Sequence, residues 1–392
     1  FFGPTGAVVA AWPFLLLWAV SPTAVVLVNR PATSTPGGSL TDADRRLLRA
    51  TARRTWRYFD DFVGPQTNWL PPDNFQEVPS RELFLRTSPT NIGLWLLSTV
   101  AAHDFGYITL DDLTARNLAT METLEKLESF EGHLLNWYDI GKLEPLRPRY
   151  VSTVDSGNRV ASLWALEASL NDFIAQPVLD GAALNGLADT FDVLRQIRGP
   201  ALEPAYQQAL LALERLTAAA PVDLEDVIYR LRSAVRPAQA LVQALPADGS
   251  DPRTYWVQQG EKQVAAWNGV IDKYLRPVEI LAASPPQLMS LGESAHEFRR
   301  EVLAGTFSLH SIATTNIPRL AALLAFQHRC DELNVPEPVR AWLGDLAVEV
   351  ARSQQNAQQQ MAQVGDIVRR TQQLEGGMGF RFLYDVQRRI FA

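Results

Sequence analysis

Apolar residues are arranged in three ways along this chain. From Ala7 to Val28 they run almost unbroken, with Ser21 and Thr23 as the polar positions and no charge. A run of that length predicts a helix able to cross a bilayer. Pro13 and Pro22 weaken the prediction, although membrane helices tolerate proline. A signal peptide and a buried core helix are the competing readings; against the first, the run has no basic start and no marked small-residue cleavage site. The span is placed at residues 1–30. Residues 31–40, rich in Pro, Ser, Thr and Gly, read as a linker.

A second arrangement, with helical spacing, follows. Thr41 is the expected N-cap of a helix, with Asp42 and Asp44 in its first turn, where carboxylates suit the positive helix end. Leu47, Leu48, Ala52, Thr55, Trp56 and Phe59 form its expected apolar face. Ser88 is the expected cap of the next helix, with Pro89 at its first position, where the missing N–H costs nothing. From Thr90 to His103 that helix is apolar nearly all round (Ile92, Leu94, Trp95, Leu96, Leu97, Val100), which predicts full burial. The helix after it, about Leu110 to Glu128, is amphipathic. A further helix, with Asp155 as expected cap, places Leu163, Trp164, Leu166 and Leu170 inward. Inner apolar helices alternating with outer amphipathic ones predict an all-α toroid of helical hairpins over 41–175.

The third arrangement runs from about Gln176 to Gln373. This stretch is rich in Ala, Leu and Gln and reads as helices broken near Pro200, Pro221, Pro246 and Pro285. Arg340 to Leu374 reads as one long helix stopped at Gly376-Gly377. No chemical motif is evident there, and 176–375 is assigned as a helical insertion. Phe380 to Tyr384 is an aromatic, strand-like run within a final segment, 376–392.

Composition narrows the picture. With 392 residues and 47% hydrophobic content, the chain can bury a sizeable core. A formal net charge of −7 argues against a general nucleic-acid binder. The single cysteine, Cys330, permits no intrachain disulfide. Arg30, Arg45, Arg46, Arg49, Arg53 and Arg54 follow the apolar run, so the positive-inside tendency puts the downstream part in the cytoplasm. The chain starts at Phe1 and ends at Phe391-Ala392, which reads as a piece of a longer polypeptide.

The chemistry lies between Asn68 and Asn158. Two loops repeat a pattern: Asn68-Trp69-Leu70-Pro71-Pro72-Asp73-Asn74-Phe75 and Gly132-His133-Leu134-Leu135-Asn136-Trp137-Tyr138-Asp139. Each runs into a helix opening, Arg86-Thr87-Ser88-Pro89-Thr90-Asn91 and Val154-Asp155-Ser156-Gly157-Asn158. Aromatic faces beside amides and carboxylates suit a sugar, with its apolar C–H faces and its rim of hydroxyls. Trp69, Trp137 and Tyr138 are candidates for stacking, against the reading that they anchor loops on the core. Asp73, Asn74, Arg86, Asn136 and Asp139 are candidates for binding hydroxyls, although Asp and Asn also build ordinary turns. Asn91, Asp155 and Asn158 sit at helix openings, where free N–H groups face polar ligands. His133 is the histidine best placed for a polar site. The histidines show no metal-ligand spacing, there is no glycine-rich phosphate loop, and no cofactor is expected. Glu77, Glu82, Glu131 and Asp139 are the carboxylates near these loops, and none has a setting that marks it as a catalytic acid.

Five stretches carry a resemblance: 55–59, 68–77, 86–93, 136–139 and 150–158. They resemble the middle, glycoamylase-like domain of cyclic β-1,2-glucan synthases. Phe382-Leu383-Tyr384-Asp385 and Arg388-Arg389 look like the point where that domain resumes after its helical insertion. The resemblance implies a partial (α/α)6 barrel that cuts a linear β-1,2-glucan and closes it into a ring. It also implies that the apolar start is the last span of a membrane-embedded, UDP-glucose-dependent transferase region, in a bacterial inner membrane. A phosphorylase-like domain would follow. No stretch matches the family's two catalytic glutamate motifs, so the catalytic pair is expected outside this chain. An endo-β-1,2-glucanase with the same barrel, or a non-catalytic carbohydrate-binding membrane protein, is the rival reading.

Overall fold

The computed structural model describes residues 4–28, 40–199, 204–303, 305–332 and 335–391. The fold is all-α, as expected, with short strands confined to loops. Contacts divide the chain into two units, Phe1–Leu48 and Arg49–Ala392. The expected linker, 31–40, lies outside the described residues except for Leu40.

In the first unit, helix α1 spans Pro4–Val28. Its Ala11–Val28 stretch has a mean hydropathy of 1.9, and none of it is buried against protein. Helix α2, Asp42–Phe62, begins at the expected cap. The Thr41 hydroxyl accepts from the Asp44 N–H at 3.2 Å, and the Thr41 N–H donates to the Asp44 carboxylate at 3.0 Å, a reciprocal capping box.

The second unit is built from α3 (Pro89–Asp104), α4 (Leu110–Leu124), α5 (Thr153–Phe173), α6 (Gly181–Arg195), α7 (Pro204–Thr217), α8 (Leu224–Gln243), α9 (Thr254–Val270), α10 (Arg276–Ala282), α11 (Glu293–Val302), α12 (Leu309–Glu332) and α13 (Glu337–Gly376). Helices α3 and α5 lie side by side and parallel. Their N-terminal turns are joined by Asn158 donating to Thr90 at 3.1 Å, and their C-terminal turns meet where His103 packs on Phe173, with ring centres 4.2 Å apart. The close approach is made possible at Gly93, where a Cβ would meet the Ser162 hydroxyl at 2.5 Å.

Three expectations about these helices are corrected. On α5, Leu163, Leu166 and Leu170 are buried as expected, but Trp164 is 55% exposed. Helix α3 is not sealed all round: Ile92, Trp95 and Leu96 are buried, but Leu94 is 52% exposed. Hydrophobicity on every face does not say which face has a neighbour. On α2, Trp56 is buried as expected, but Leu47 and Leu48 are 67% and 55% exposed, and the buried residues include Arg53. The Arg53 guanidinium lies 5.1 Å from both the Tyr107 and Trp256 ring centres, and its Nε donates to Thr190 at 2.8 Å. A planar, weakly hydrated guanidinium stacks on aromatic faces, so a division into apolar and polar positions misassigned this face.

The segment assigned as an insertion packs directly on the preceding hairpins. Gly106, at a φ of +76°, meets α6 backbone to backbone, and a Cβ there would lie 2.0 Å from the Ala182 carbonyl oxygen. Helix α13, 40 residues and about 60 Å long, joins three apolar clusters. Val339, Leu343 and Leu346 pack with Phe298 and Phe326. Ala357 packs with α6–α9, and Val364 and Ile367 pack with α3, α4 and α5. The change of composition near residue 176 is therefore not a boundary in packing.

The loop strands are β1 (Phe75–Gln76), β2 (Glu82–Leu83), β3 (Arg86–Thr87), β4 (Ser129–Phe130), β5 (His133–Leu134), β6 (Tyr138–Asp139), β7 (Glu144–Pro145), β8 (Tyr384–Asp385) and β9 (Ile390–Phe391). All pair antiparallel, and β3, β6 and β7 form one sheet. The strand expected over 380–384 is instead a 3-10 turn, Phe380–Leu383, leading into β8. A strand needs a partner for its backbone ladder, and the partner, β9, begins only at Ile390.

Candidate functional site

Backbone pairing brings the second loop against the segment that leads from the first loop into α3. Strand β3, just before α3, pairs with β6, just after the second Asn-Trp, in the register Arg86↔Asp139 and Thr87↔Tyr138. On the other side, the Asp73 N–H donates to the Phe84 carbonyl at 3.1 Å and the Phe84 N–H to the Asn74 carbonyl at 3.0 Å. Asp73, Arg86 and Trp137 are thus set together by backbone pairing.

Their side chains form one network. Arg86 donates to the Asp73 carboxylate through Nη2 at 2.9 Å and Nε at 3.1 Å. Its guanidinium lies 4.7 Å from the centre of the Trp137 ring. Asn74 and Asn91 also donate to Asp73, at 3.2 and 3.3 Å. Asn91 stands in the first turn of α3, whose cap is Ser88 as expected, its hydroxyl accepting from the Asn91 N–H at 3.2 Å. In the neighbouring residue, the Thr90 hydroxyl donates to Asp155 at 2.5 Å and accepts from Asn158. The openings of α3 and α5 therefore form a continuous polar edge. Arg86, Asn74 and Asn158 are exposed, and Asp73, Asn91, Trp137 and Asp155 are half-buried.

Asp155 was expected to cap α5. The cap is Ser152, whose hydroxyl accepts from the Asp155 N–H at 3.2 Å. The Asp155 carboxylate is left to face Thr90 across the helix pair.

Four other candidates serve the loop itself. Tyr138 is fully buried; its hydroxyl accepts from the Leu135 N–H at 2.7 Å and donates to the Glu128 carbonyl at 2.5 Å. Burial pushes its phenol up to about 12. With no open face, Tyr138 cannot stack on a sugar. Asn136 is buried and clamps Tyr150 in both directions: its N–H donates to the Tyr150 carbonyl at 2.9 Å, and its side-chain oxygen accepts from the Tyr150 N–H at 3.4 Å. His133 is fully buried beneath Phe380 and Phe382, with Nδ1 2.9 Å from the Ser156 hydroxyl. Burial lowers its pKa, partly opposed by the Gly379 backbone. Asp139 binds the N–H groups of Gly141 and Lys142, each at 2.9 Å, and so fixes a turn.

Trp69 is half-buried, and its carbonyl accepts from the Thr120 hydroxyl at 3.1 Å. The preceding Asn68 donates to the Ile140 carbonyl at 2.7 Å, which links the first loop to the backbone just beyond β6. Glu77, Glu82 and Glu131 are exposed. Among the described residues no group of three His, Cys, Asp or Glu side chains could hold a metal ion.

Thr90 and Tyr58 escaped the sequence reading. Thr90 is the hinge of the polar edge. Tyr58 supports the first loop by donating to the Pro72 carbonyl at 2.9 Å, and burial followed by the charge of Asp73 raises its phenol to about 12. A threonine beside a helix-opening proline carries no signal of its own, because its partners are 65 and 68 residues away.

A cleft of about 480 Å³ lies elsewhere, lined by Leu179, Pro221, Val227, Val278, Leu303 and Phe307. Its walls are largely apolar; of its carboxylates, Asp180 and Asp223 are committed to capping α6 and α8, and Glu225 pairs with Arg299. The polar edge at α3 and α5 is chemically the better polyol site, because its donors and acceptors are exposed or half-buried.

No family model matches the chain. It is 39% identical over 228 residues to the cyclic beta-(1,2)-glucan synthase NdvB of Rhizobium meliloti (strain 1021). Over that stretch the chain is similar to a cyclic β-1,2-glucan synthase. The match covers 54% of this chain but spans only 8% of the length of that relative. Most of the synthase is thus outside the compared stretch.

Proposed function

We propose that this chain forms one side of the carbohydrate cleft of a membrane-bound cyclic β-1,2-glucan synthase. In this reading α3 and α5 are neighbouring inner helices of an (α/α)6 barrel, and their N-terminal edge holds a linear β-1,2-glucan for ring closure. The observation that carries the reading is the Asp73–Arg86–Trp137 stack, joined through Asn91 and Thr90 to Asp155 and Asn158. An indole offers an apolar plane to a pyranose face, and the surrounding amides, guanidinium and carboxylates match its hydroxyls. One Trp137 face already carries Arg86, so the sugar uses the other face or displaces the guanidinium.

Ring closure is a transglycosylation. One carboxylic acid protonates the leaving glycosidic oxygen, and a hydroxyl of the same glucan replaces water as the attacking group. The acid and its partner come from polypeptide outside this chain. The groups named here bend and orient the glucan, so that its free end reaches the anomeric carbon; this is proximity work. In the same reading α1 spans the inner membrane, with the soluble part on the cytoplasmic side. UDP-glucose transferase and phosphorylase-like regions complete the polypeptide.

Hydrogen exchange with linear β-1,2-gluco-oligosaccharides tests the reading. Protection is expected at 73–75, 86–91, 137 and 155–158, and Trp137→Ala should weaken binding about tenfold, about 1.4 kcal/mol. Protection confined to 176–373 would overturn it.

A further inference from the structure

The first unit carries a feature that glucan binding does not use. Leu40, Leu47 and Leu48 are 50%, 67% and 55% exposed within nine residues. Arg45 and Arg46 stand among them, both exposed, and neither makes a salt bridge among the described residues. Asp44 stays anionic, its carboxylate accepting from the Thr41 hydroxyl and N–H at the helix start. Leu47 and Leu48 sit one helical turn past Asp44; Leu48 lies on the opposite side of α2 from the buried Ala50, whereas Leu47, three residues before Ala50, neighbours it on the helix surface. Three exposed leucines and two exposed arginines within nine residues make a short apolar and cationic ridge.

The ridge lies close in sequence to α1. Eleven residues, 29–39, separate Val28 from Leu40. At most ~3.6 Å per residue, that tether is about 40 Å or shorter. If α1 spans a bilayer, that tether keeps Leu40 within about 40 Å of the bilayer's surface.

We propose that residues 40–48 are an interfacial anchor that lies on the phospholipid surface. The three leucines enter the boundary between headgroups and acyl chains. The arginines extend their aliphatic stems along the same boundary and place their guanidinium groups on lipid phosphates. Bidentate hydrogen bonding of guanidinium to phosphate supplies the polar half of the contact. The anchor fixes the start of α2 at the membrane and limits how far the soluble part departs from it. This inference rests on the membrane-spanning reading of α1.

Spin labelling of the full chain in phospholipid nanodiscs tests both points separately. The single native cysteine, Cys330, is buried, so introduced cysteines are labelled selectively. Labels are placed at Leu16→Cys in α1, Leu48→Cys in the ridge and Val222→Cys, 87% exposed in the second unit. Collision with oxygen is compared with collision with a water-soluble nickel chelate. Leu16 should read as hydrocarbon, Val222 as water and Leu48 as headgroup depth. Replacing Arg45 and Arg46 with glutamine should shift the Leu48 ratio at least twofold toward water. A Leu48 label that reads like Val222 overturns the anchor, as does one shielded from both reagents, which would mean protein covers the ridge. An unchanged ratio in the glutamine variant overturns the phosphate contact. A Leu16 label that reads as water overturns the spanning helix itself, and the anchor with it.

Discussion

The two Asn-Trp loops look alike in sequence and do different work in the structure. At Asn68-Trp69 both residues have left-handed backbone, with φ of 51° and 57°, and the tryptophan lies beyond the 3-10 turn Pro65–Thr67. At Asn136-Trp137-Tyr138 the chain enters a sheet strand, the tyrosine is sealed beneath it, and the tryptophan carries Arg86. Each asparagine is a backbone clamp, Asn68 on Ile140 and Asn136 on Tyr150. The shared pattern therefore encodes loop anchoring first. In the proposed reading, ligand chemistry attaches to Trp137, the tryptophan that carries Arg86.

The strongest way to break this contrast is Tyr138→Phe. The change removes a hydroxyl that satisfies the buried Leu135 N–H and the carbonyl of Glu128. The Leu135 N–H would be left buried without a partner, at a cost of about 1–3 kcal/mol. Denaturant unfolding should show that loss. If Tyr138→Phe is as stable as the parent, the second loop is not held from beneath, and the contrast collapses.

That case also shows what the residues alone could reveal. The helices were legible: the Thr41 and Ser88 caps, and the long helix that became α13, follow from local rules of spacing and capping. The place where the loops meet was partly legible, because the repeated pattern marked the residues flanking β3 and β6. The division of labour was not. Tyr138, Asn136 and His133 have the same composition signal as Trp137 and Asn91, and only sheet register decides which point inward. Arg53 failed for a related reason, since its charge hid a stacking role that depends on Tyr107 and Trp256, both distant in sequence. Cap chemistry is local, whereas sidedness is set by partners tens to hundreds of residues away.

The first loop has its own test. Asn68 tolerates left-handed backbone better than other non-glycine residues, and its amide holds Ile140. Asn68→Ala should lose both features and cost about 1–2 kcal/mol. Asn68→Gly keeps the backbone freedom and should cost less. Equal losses in thermal unfolding would mean that the hydrogen bond to Ile140, not the left-handed turn, is what the first loop needs.

Acid should separate the loops more gently. Burial holds the His133 pKa below its ordinary value, so an opened second loop binds a proton more readily than the native one. The stability from neutral His133 is full above the unfolded value of roughly 6.5 and falls as pH drops toward the lower native value. Hydrogen exchange corrected for intrinsic rate should therefore rise at 129–139 between pH 7 and 5, while 68–76, which has no histidine, changes less. Equal acceleration in both loops, or His133→Phe leaving the difference intact, would remove His133 as its cause.

The smallest effect on stability is also the sharpest on function. Arg86 is exposed, and its ion pair with Asp73 is of the kind worth about 0–1 kcal/mol. Arg86→Ala should therefore barely move the unfolding midpoint, in contrast to Tyr138→Phe. Yet Arg86 aligns Asp73 and covers one Trp137 face, so its loss frees an indole face while unfixing a carboxylate. If the sugar stacks on the open face and uses Asp73 for a hydroxyl, binding of β-1,2-gluco-oligosaccharides should weaken severalfold. If it takes the face that Arg86 now covers, Arg86→Ala should tighten binding, whereas Arg86→Lys should weaken it by leaving a cation that lacks the planar two-point contact with Asp73. The pair of variants, read by calorimetry, therefore says which side of Trp137 the glucan occupies. Unchanged affinity in both would remove Arg86 and Trp137 from the glucan site, and would leave the second loop as structural as the first.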